Sequence, residues 1–266
     1  MFGIKASNGC QYLHASTEPG LTILALGAEL SRLLPEAKDQ VTAKAWSVAH
    51  LELTSTEAVL LKDAPVVSLS ELGFWIEPVR VVQEADQVLK NGESVAGSRT
   101  HNYLLKLAAH GGGWTKTEQR STNGQLAPVS DDQELPTSLP PTEPMHIIPA
   151  SDEQLLRELI RLTLPKSLHN RHLVKKSMCW CADTASSDFL IDFVPGYEGL
   201  LVAGADSGHG FKFLPVFGKR VADVVNCGQQ REARWRWKAS GNRSDVGGTV
   251  AWRSGSVRDL NGEVLN

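Results

Sequence analysis

Cys179-Trp180-Cys181-Ala182-Asp183-Thr184 is followed by Asp188-Phe189-Leu190-Ile191-Asp192, and then by Asp206-Ser207-Gly208-His209-Gly210-Phe211-Lys212-Phe213-Leu214-Pro215. The pattern reads as strand, strand, glycine-rich turn and helix. Such a turn delivers the chain to a helix N-terminus, where unsatisfied backbone N–H groups and the helix dipole favour negative charge. Lys212 adds a cation at that point. The arrangement suits an anionic ligand, or a ring that becomes anionic on reduction. Taken alone, a strand-to-helix loop with a surface lysine is the simpler reading.

Outward from this stretch, the chain alternates between apolar strands and short amphipathic helices. Lys175 to Cys181, Phe189 to Phe193 and Leu200 to Ala203 read as strands, and Pro215 to Cys227 as a helix. Upstream, Ser151 with Gln154 has the spacing of a capping box, opening a helix whose apolar face is Leu155, Leu156, Leu159, Ile160 and Leu162. Thr115 to Pro144 is rich in Ser, Thr, Pro, Gln and Asp and reads as a long surface loop or local disorder. Tyr103 to Ala108, Gly73 to Pro78, Pro65 to Leu69 and the alternating Trp46 to Leu53 read as strands, the last followed by a Thr54/Glu57 capping box. Leu21 to Leu26 is an unalternated apolar run of the kind buried on both faces in a parallel sheet. Phe2 to Ala6 and Gln11 to Ala15 flank Asn8-Gly9 as a hairpin.

Composition narrows the function classes. Across 266 residues, 27 Lys and Arg stand against 30 Asp and Glu, a net charge of −3 that offers no basic excess for nucleic acid. No run approaches the roughly 18 apolar residues of a membrane span. Four cysteines (Cys10, Cys179, Cys181 and Cys227) are too sparse for a disulfide scaffold. With no apolar signal core at the start, they point to a reducing intracellular compartment, cytoplasmic or peroxisomal, although the last residues are not the S-K-L address.

The combined string resembles the flavin-dependent amine oxidases related to monomeric sarcosine oxidase, with pipecolate, saccharopine and fructosyl-amino-acid oxidases as relatives. Ser207 to Phe213 (S-G-H-G-F-K-F) carries the resemblance, together with Cys179 lying ten residues before Phe189. It extends from about Phe2 to about Lys238. It implies that Cys179 joins the flavin ring as a thioether, where the residue alone reads as a half-buried strand cysteine. A zinc pair with Cys181 is a weak signal without further ligands. Gly208, His209, Gly210, Phe211 and Lys212 fall on the family's cofactor-binding turn, and Lys212 also pairs there with the substrate carboxylate.

Lys106 and His110 form a second constellation, four residues apart and therefore on one face of a helix or a strand. Alone, they read as a snorkelling lysine beside a satisfied histidine. In the family, the matching lysine lies over the flavin and promotes its reaction with O₂, since a fixed cation stabilises superoxide-like charge in a poorly solvated site. Sarcosine-type members carry histidine at the position of His110 where fructosyl-amino-acid oxidases carry glutamate. That difference points to small secondary amino acids such as N-methyl amino acids, pipecolate or saccharopine. Arg236 resembles a carboxylate-binding arginine of the fructosyl relatives and is equally a charged surface residue.

The family opens with a G-x-G-x-x-G turn that grips the FAD pyrophosphate. No such motif occurs here; neither Gly111-Gly112-Gly113 nor Gly204 to Gly210 has its spacing. A front part of roughly 150 residues is therefore expected to be missing. The expected fold is mixed α/β: an antiparallel substrate-domain sheet beside a partial, N-terminally truncated, Rossmann-like FAD-binding layer. Residues 1–40 would be the remnant of that layer, 41–172 the substrate domain with a flexible loop at 115–145, 173–238 the returning flavin-binding segment, and 239–266 a tail. Two functions follow. One is an FAD-dependent oxidase acting on the C–N bond of secondary amino acids, with a small amine and O₂ as partners and an imine and hydrogen peroxide as products. The other is a catalytically inactive remnant or binding module, with a fructosyl-amino-acid oxidase relative as a further alternative.

Overall fold

The computed structural model describes residues 20–83, 100–117, 138–143, 145–239 and 255–265, together with short strand pieces elsewhere in the chain. In chain order the first elements are β1 (Gly3–Lys5), β2 (Gln11–Leu13), β3 (Thr22–Leu24), α1 (Leu30–Leu33), β4 (Thr42–Leu53) and α2 (Ser55–Leu60). Next come β5 (Val67–Leu69), β6 (Gly73–Trp75), β7 (Val79–Gln83), β8 (Asp86–Val88), β9 (Ser94–Ala96), β10 (Thr100–Ala109) and β11 (Trp114–Thr115). After β12 (Ser121–Thr122), β13 (Gln125–Leu126) and α3 (Ala150–Thr163) follow β14 (Val174–Asp183), β15 (Leu190–Phe193), β16 (Leu200–Gly204), α4 (Leu214–Cys227) and β17 (Arg258–Asp259). The chain divides into two compact units, residues 1–43 with 181–246 and residues 44–180 with 247–266.

The second unit is an eight-stranded sheet in the order β17-β11-β4-β10-β6-β5, with β14 on β4 and β7 on β10. The β4–β10, β10–β6, β10–β7 and β5–β6 pairs are antiparallel, and β11–β17 is parallel. Alternation decides its faces. Ala45, Ala49, Leu51 and Leu53 of β4 join Leu105, Leu107 and Ala109 of β10 and Trp75 of β6 in a core with Leu156, Leu159 and Ile160 of α3. Their even-numbered neighbours on β4 and β10 point to the other face. Gly113 (φ +83) lets β11 pass close to Trp46, whose ring a Cβ would meet at 2.7 Å.

The Thr54 capping box forms as expected: Glu57 N–H donates to Thr54 Oγ1 (3.2 Å), and Thr54 N–H donates to Glu57 Oε2 (2.9 Å). Ser151 makes no such cap. The helix α3 begins two residues earlier, with Pro149 as N-cap, because the bridge between Pro149 and Leu265 and the Ala150 N–H to Val264 carbonyl bond (2.9 Å) fix its entry. Ser151 instead donates to Glu263 Oε1 (3.2 Å). Beside it, Asp152 is only 1% exposed, and its carboxylate accepts from Ser47 Oγ (2.6 Å), Trp114 Nε1 (2.8 Å) and Arg258 Nη2 (2.7 Å). A buried charge is tolerated when paired and bonded in this way, at a helix N-terminus that favours it.

The first unit is a three-stranded sheet, β15-β16-β3, with β15 antiparallel and β3 parallel to β16. One face packs Leu190 and Val202 against Leu30, Leu34 and Ala37. The other packs Ile191, Leu201 and Ala203 against Val224, Val221 and Phe217 of α4, which Gly228 (φ +69) ends in a left-handed cap. The run Leu21 to Leu26 does pair in parallel, but it is not buried on both faces. Leu24 is 7% exposed, whereas Leu21 and Ile23 are 42% and 43% exposed. The strand β3 lies at the end of this sheet, and the cover of α4 reaches only β15 and β16. Strands β1 and β2 pair antiparallel as the hairpin reading requires, with the Asn8-Gly9 turn itself outside the described residues. Most of the polar stretch between 115 and 145 also lies outside them.

Candidate active site

Lys106 lies in the middle of β10 on the face turned away from α3, with Ala108 on the same face and His110 just beyond the strand end. The spacing of four is therefore realised on a strand. Cross-strand pairing sets Lys106 opposite His50 of β4. Met178 and Trp180 of β14 pack into the α3-side core, so Cys179 between them points to the opposite face, the one that carries His50 and Lys106. Cys179 is exposed and Cys181, two residues on, shares its side of the strand. No cluster of metal-ligating side chains exists among the described residues.

Lys106, His50 and the exposed Glu52 stand on this face. No carboxylate pairs with Lys106 among the described residues. The His50 imidazole meets the Lys175 carbonyl through Nδ1 at 3.4 Å; a carbonyl only accepts, so Nδ1 carries the proton. Burial lowers the His50 pKa below its ordinary value, and the charges of Lys106 and Lys175 push it the same way, against the carbonyl bond. Burial likewise lowers the pKa of His110, whose Nε2 stands 3.0 Å from Ser68 Oγ and whose ring lies 5.4 Å from that of Phe74. Both rings are neutral at neutral pH, and the charge of Lys106 acts on His50, its cross-strand partner.

In the first unit, Gly208 to Lys212 form the turn that leads through a short 3-10 segment, Phe211–Phe213, into α4. The loop is tightly tied. Ser207, fully buried at φ +46, bonds through its N–H to the Ala182 carbonyl (3.0 Å) and accepts from Thr184 N–H (3.3 Å). His209 donates from Nε2 to the Ser187 carbonyl (2.7 Å) and packs against Phe189 at 4.9 Å, which gives it a structural task in shaping the loop. Phe211 and Lys212 are exposed, with Lys212 Nζ 5.9 Å from the Phe213 ring. Arg236 donates from Nε to the Gln230 carbonyl (2.9 Å), so its guanidinium helps hold that turn.

The second unit thus brings together Cys179, Lys106 and His110 on one sheet face, while Gly208 to Lys212 and Arg236 belong to the first unit. Sequence reasoning missed His50 and Ser68. Their strands are legible, and their parity is too, but the register that sets His50 across from Lys106 and Ser68 beside His110 comes from pairing between distant segments.

No protein-family model matches the chain. It is 29% identical over 259 residues to the L-saccharopine oxidase of Schizosaccharomyces pombe, covering 97% of this chain and 51% of that protein. It is 30% identical over 137 residues to the N-methyl-L-tryptophan oxidase of Salmonella arizonae, covering 52% and 30% of the two chains. A shorter match, 35% over 78 residues, links it to the monomeric sarcosine oxidase of a Bacillus species, covering 29% and 20%. Among solved structures it is similar to a modified fructosyl peptide oxidase from Aspergillus nidulans (TM-score 0.73, 26% identity, 98% of this chain and 53% of that one). It is also similar to the fructosyl peptide oxidase of E. terrenum (TM-score 0.71, 27% identity, 98% and 52%). The chain spans about half the length of the first of these relatives and of the solved structures, 51% to 53%. With the sheet, the glycine-rich turn and these likenesses taken together, the homologues of the chain are oxidases of the sarcosine oxidase-like family.

Proposed function

We propose that the chain is the substrate-side part of an FAD-dependent oxidase that breaks the C–N bond of secondary amino acids. One observation carries the reading: an exposed thiol, an ammonium group without a carboxylate partner among the described residues and a neutral imidazole share one face of one sheet. Those groups fit a flavin. Cys179 would hold the ring as a thioether. A bound flavin supplies the two-electron acceptor and the route by which O₂ becomes hydrogen peroxide.

The chain's own residues do the rest. Lys106 provides fixed positive charge where O₂ gains negative charge. His110, uncharged, offers a hydrogen-bonding nitrogen to the amino-acid substrate without adding a second cation. In the first unit, exposed Lys212 is a cation suited to a carboxylate, while Arg236 is held on the Gln230 carbonyl. Histidine at position 110, and the likeness to proteins named for saccharopine and N-methyl-tryptophan, favour a secondary amino acid over a fructosyl-amino acid.

Acid precipitation of the purified, FAD-incubated protein tests the reading. Yellow colour is expected in the pellet, and Cys179→Ala is expected to release it. Protein that stays colourless after incubation overturns the assignment. Lys106→Met is expected to slow reoxidation by O₂ about 10²-fold while changing reduction by substrate far less. Unchanged peroxide formation in that variant removes the role given to Lys106.

A further inference from the structure

The His110 ring is held from two sides. Its Nε2 lies 3.0 Å from Ser68 Oγ, and Phe74 stands against its face at 5.4 Å with the planes inclined by 39°. Ser68 and Phe74 are direct cross-strand partners on β5 and β6, and Phe74 is in turn the partner of Ala108 on β10. Two neighbouring strands therefore deliver, in register, an aromatic wall and a hydroxyl to one imidazole. A serine hydroxyl donates and accepts, so it engages Nε2 in either tautomer, and what the contact fixes is the orientation of the ring. Lys106 on the same strand, and Lys44, His50 and Glu52 of β4, are the other titratable groups on this side of β10 and β4.

We propose that Ser68 is a positioning residue for His110: its hydroxyl engages Nε2, holds the ring in one orientation against Phe74 and leaves Nδ1 as the nitrogen that meets a ligand. The role of that ligand rests on the oxidase reading above; the bond between Ser68 and His110 does not.

Imidazole ¹⁵N spectra of the whole chain, recorded through a pH titration without cofactor or turnover, test the proposal. In the wild type, His110 is expected to titrate below 6.5. In Ser68→Ala the tautomer balance is expected to change and the midpoint to move by about half a unit; Ser68→Thr, which keeps the hydroxyl, is expected to restore both. An identical tautomer balance and midpoint in Ser68→Ala overturns the proposal, as does a change that Ser68→Thr fails to reverse. Addition of an N-methyl amino acid separates the two claims. If the Ser68 variants behave as stated but the ligand leaves the His110 signals unmoved, the positioning role stands and the substrate-facing role of His110 falls.

Discussion

Glu57 shows how one side chain is given several tasks. Its carboxylate closes the cap on α2 and receives both Arg171 guanidinium nitrogens, at 2.7 and 2.8 Å. The Arg171 bonds, followed by the Thr54 backbone N–H, hold its pKa down at about 2 against an ordinary 4.5. A depressed carboxylate pKa contributes stability that is complete above the ordinary value and is lost as the pH falls through the folded-state value. Wild-type protein is therefore expected to lose its advantage over Glu57→Gln between pH 4.5 and about 2, measured as the urea midpoint at each pH. An advantage independent of pH would show that the charge is not what Arg171 reads. The histidines follow the same sign in a higher window: with pKa lowered by burial, His50 and His110 stay neutral in the fold, so stability falls as the pH drops below 6.5 and the unfolded chain takes up protons that the fold does not.

At the level of elements, the difference between buried and exposed apolar residues sets what substitution does. Leu159 of α3 is fully buried in the sheet-facing core, so Leu159→Ala is expected to cost about 2–5 kcal/mol in urea unfolding. Ile23 of β3 is 43% exposed, and Ile23→Thr is expected to stay within about 0.5 kcal/mol of wild type. An equal loss at both positions would mean that the face of β3 is covered in solution. The same two elements measure how far local pattern reaches. The period of α3 and the alternation of β4 and β10 named the core residues, because each local pattern agrees with the face it buries. The run at β3 misled, because apolar content records what a strand can bury and not how far a neighbouring helix extends. The Ser151 cap misled for a similar reason: the motif is local, but the start of α3 is fixed by Val264 and Leu265, more than a hundred residues away in sequence.

Across the molecule, each unit has its own core, and the chain leaves the first unit after Ala43 and returns to it at Cys181. Motif reading singled out Cys179, Lys106 and the glycine-rich turn as candidates, since each sits in a short run of unusual residues. It could not find what stands beside them. His50 and Ser68 are ordinary residues whose neighbours are chosen by strand register, which no window of sequence contains. The final segment is the least legible of all: a polar stretch whose residues 255–265 nevertheless include a strand on β11 and the cation that Asp152 requires. Arg258 lies over the Trp114 ring at 3.8 Å while it bonds that carboxylate, so one side chain closes the sheet edge and neutralises the helix start. A protein shortened to end before Gly255 would keep every candidate catalytic group, yet strand a carboxylate in an apolar interior, a loss of about 3–5 kcal/mol. Trimming that end for crystals, or letting a protease nibble it in storage, would thus erode the scaffold from beneath, and turnover assays alone would cast the blame on blameless residues above.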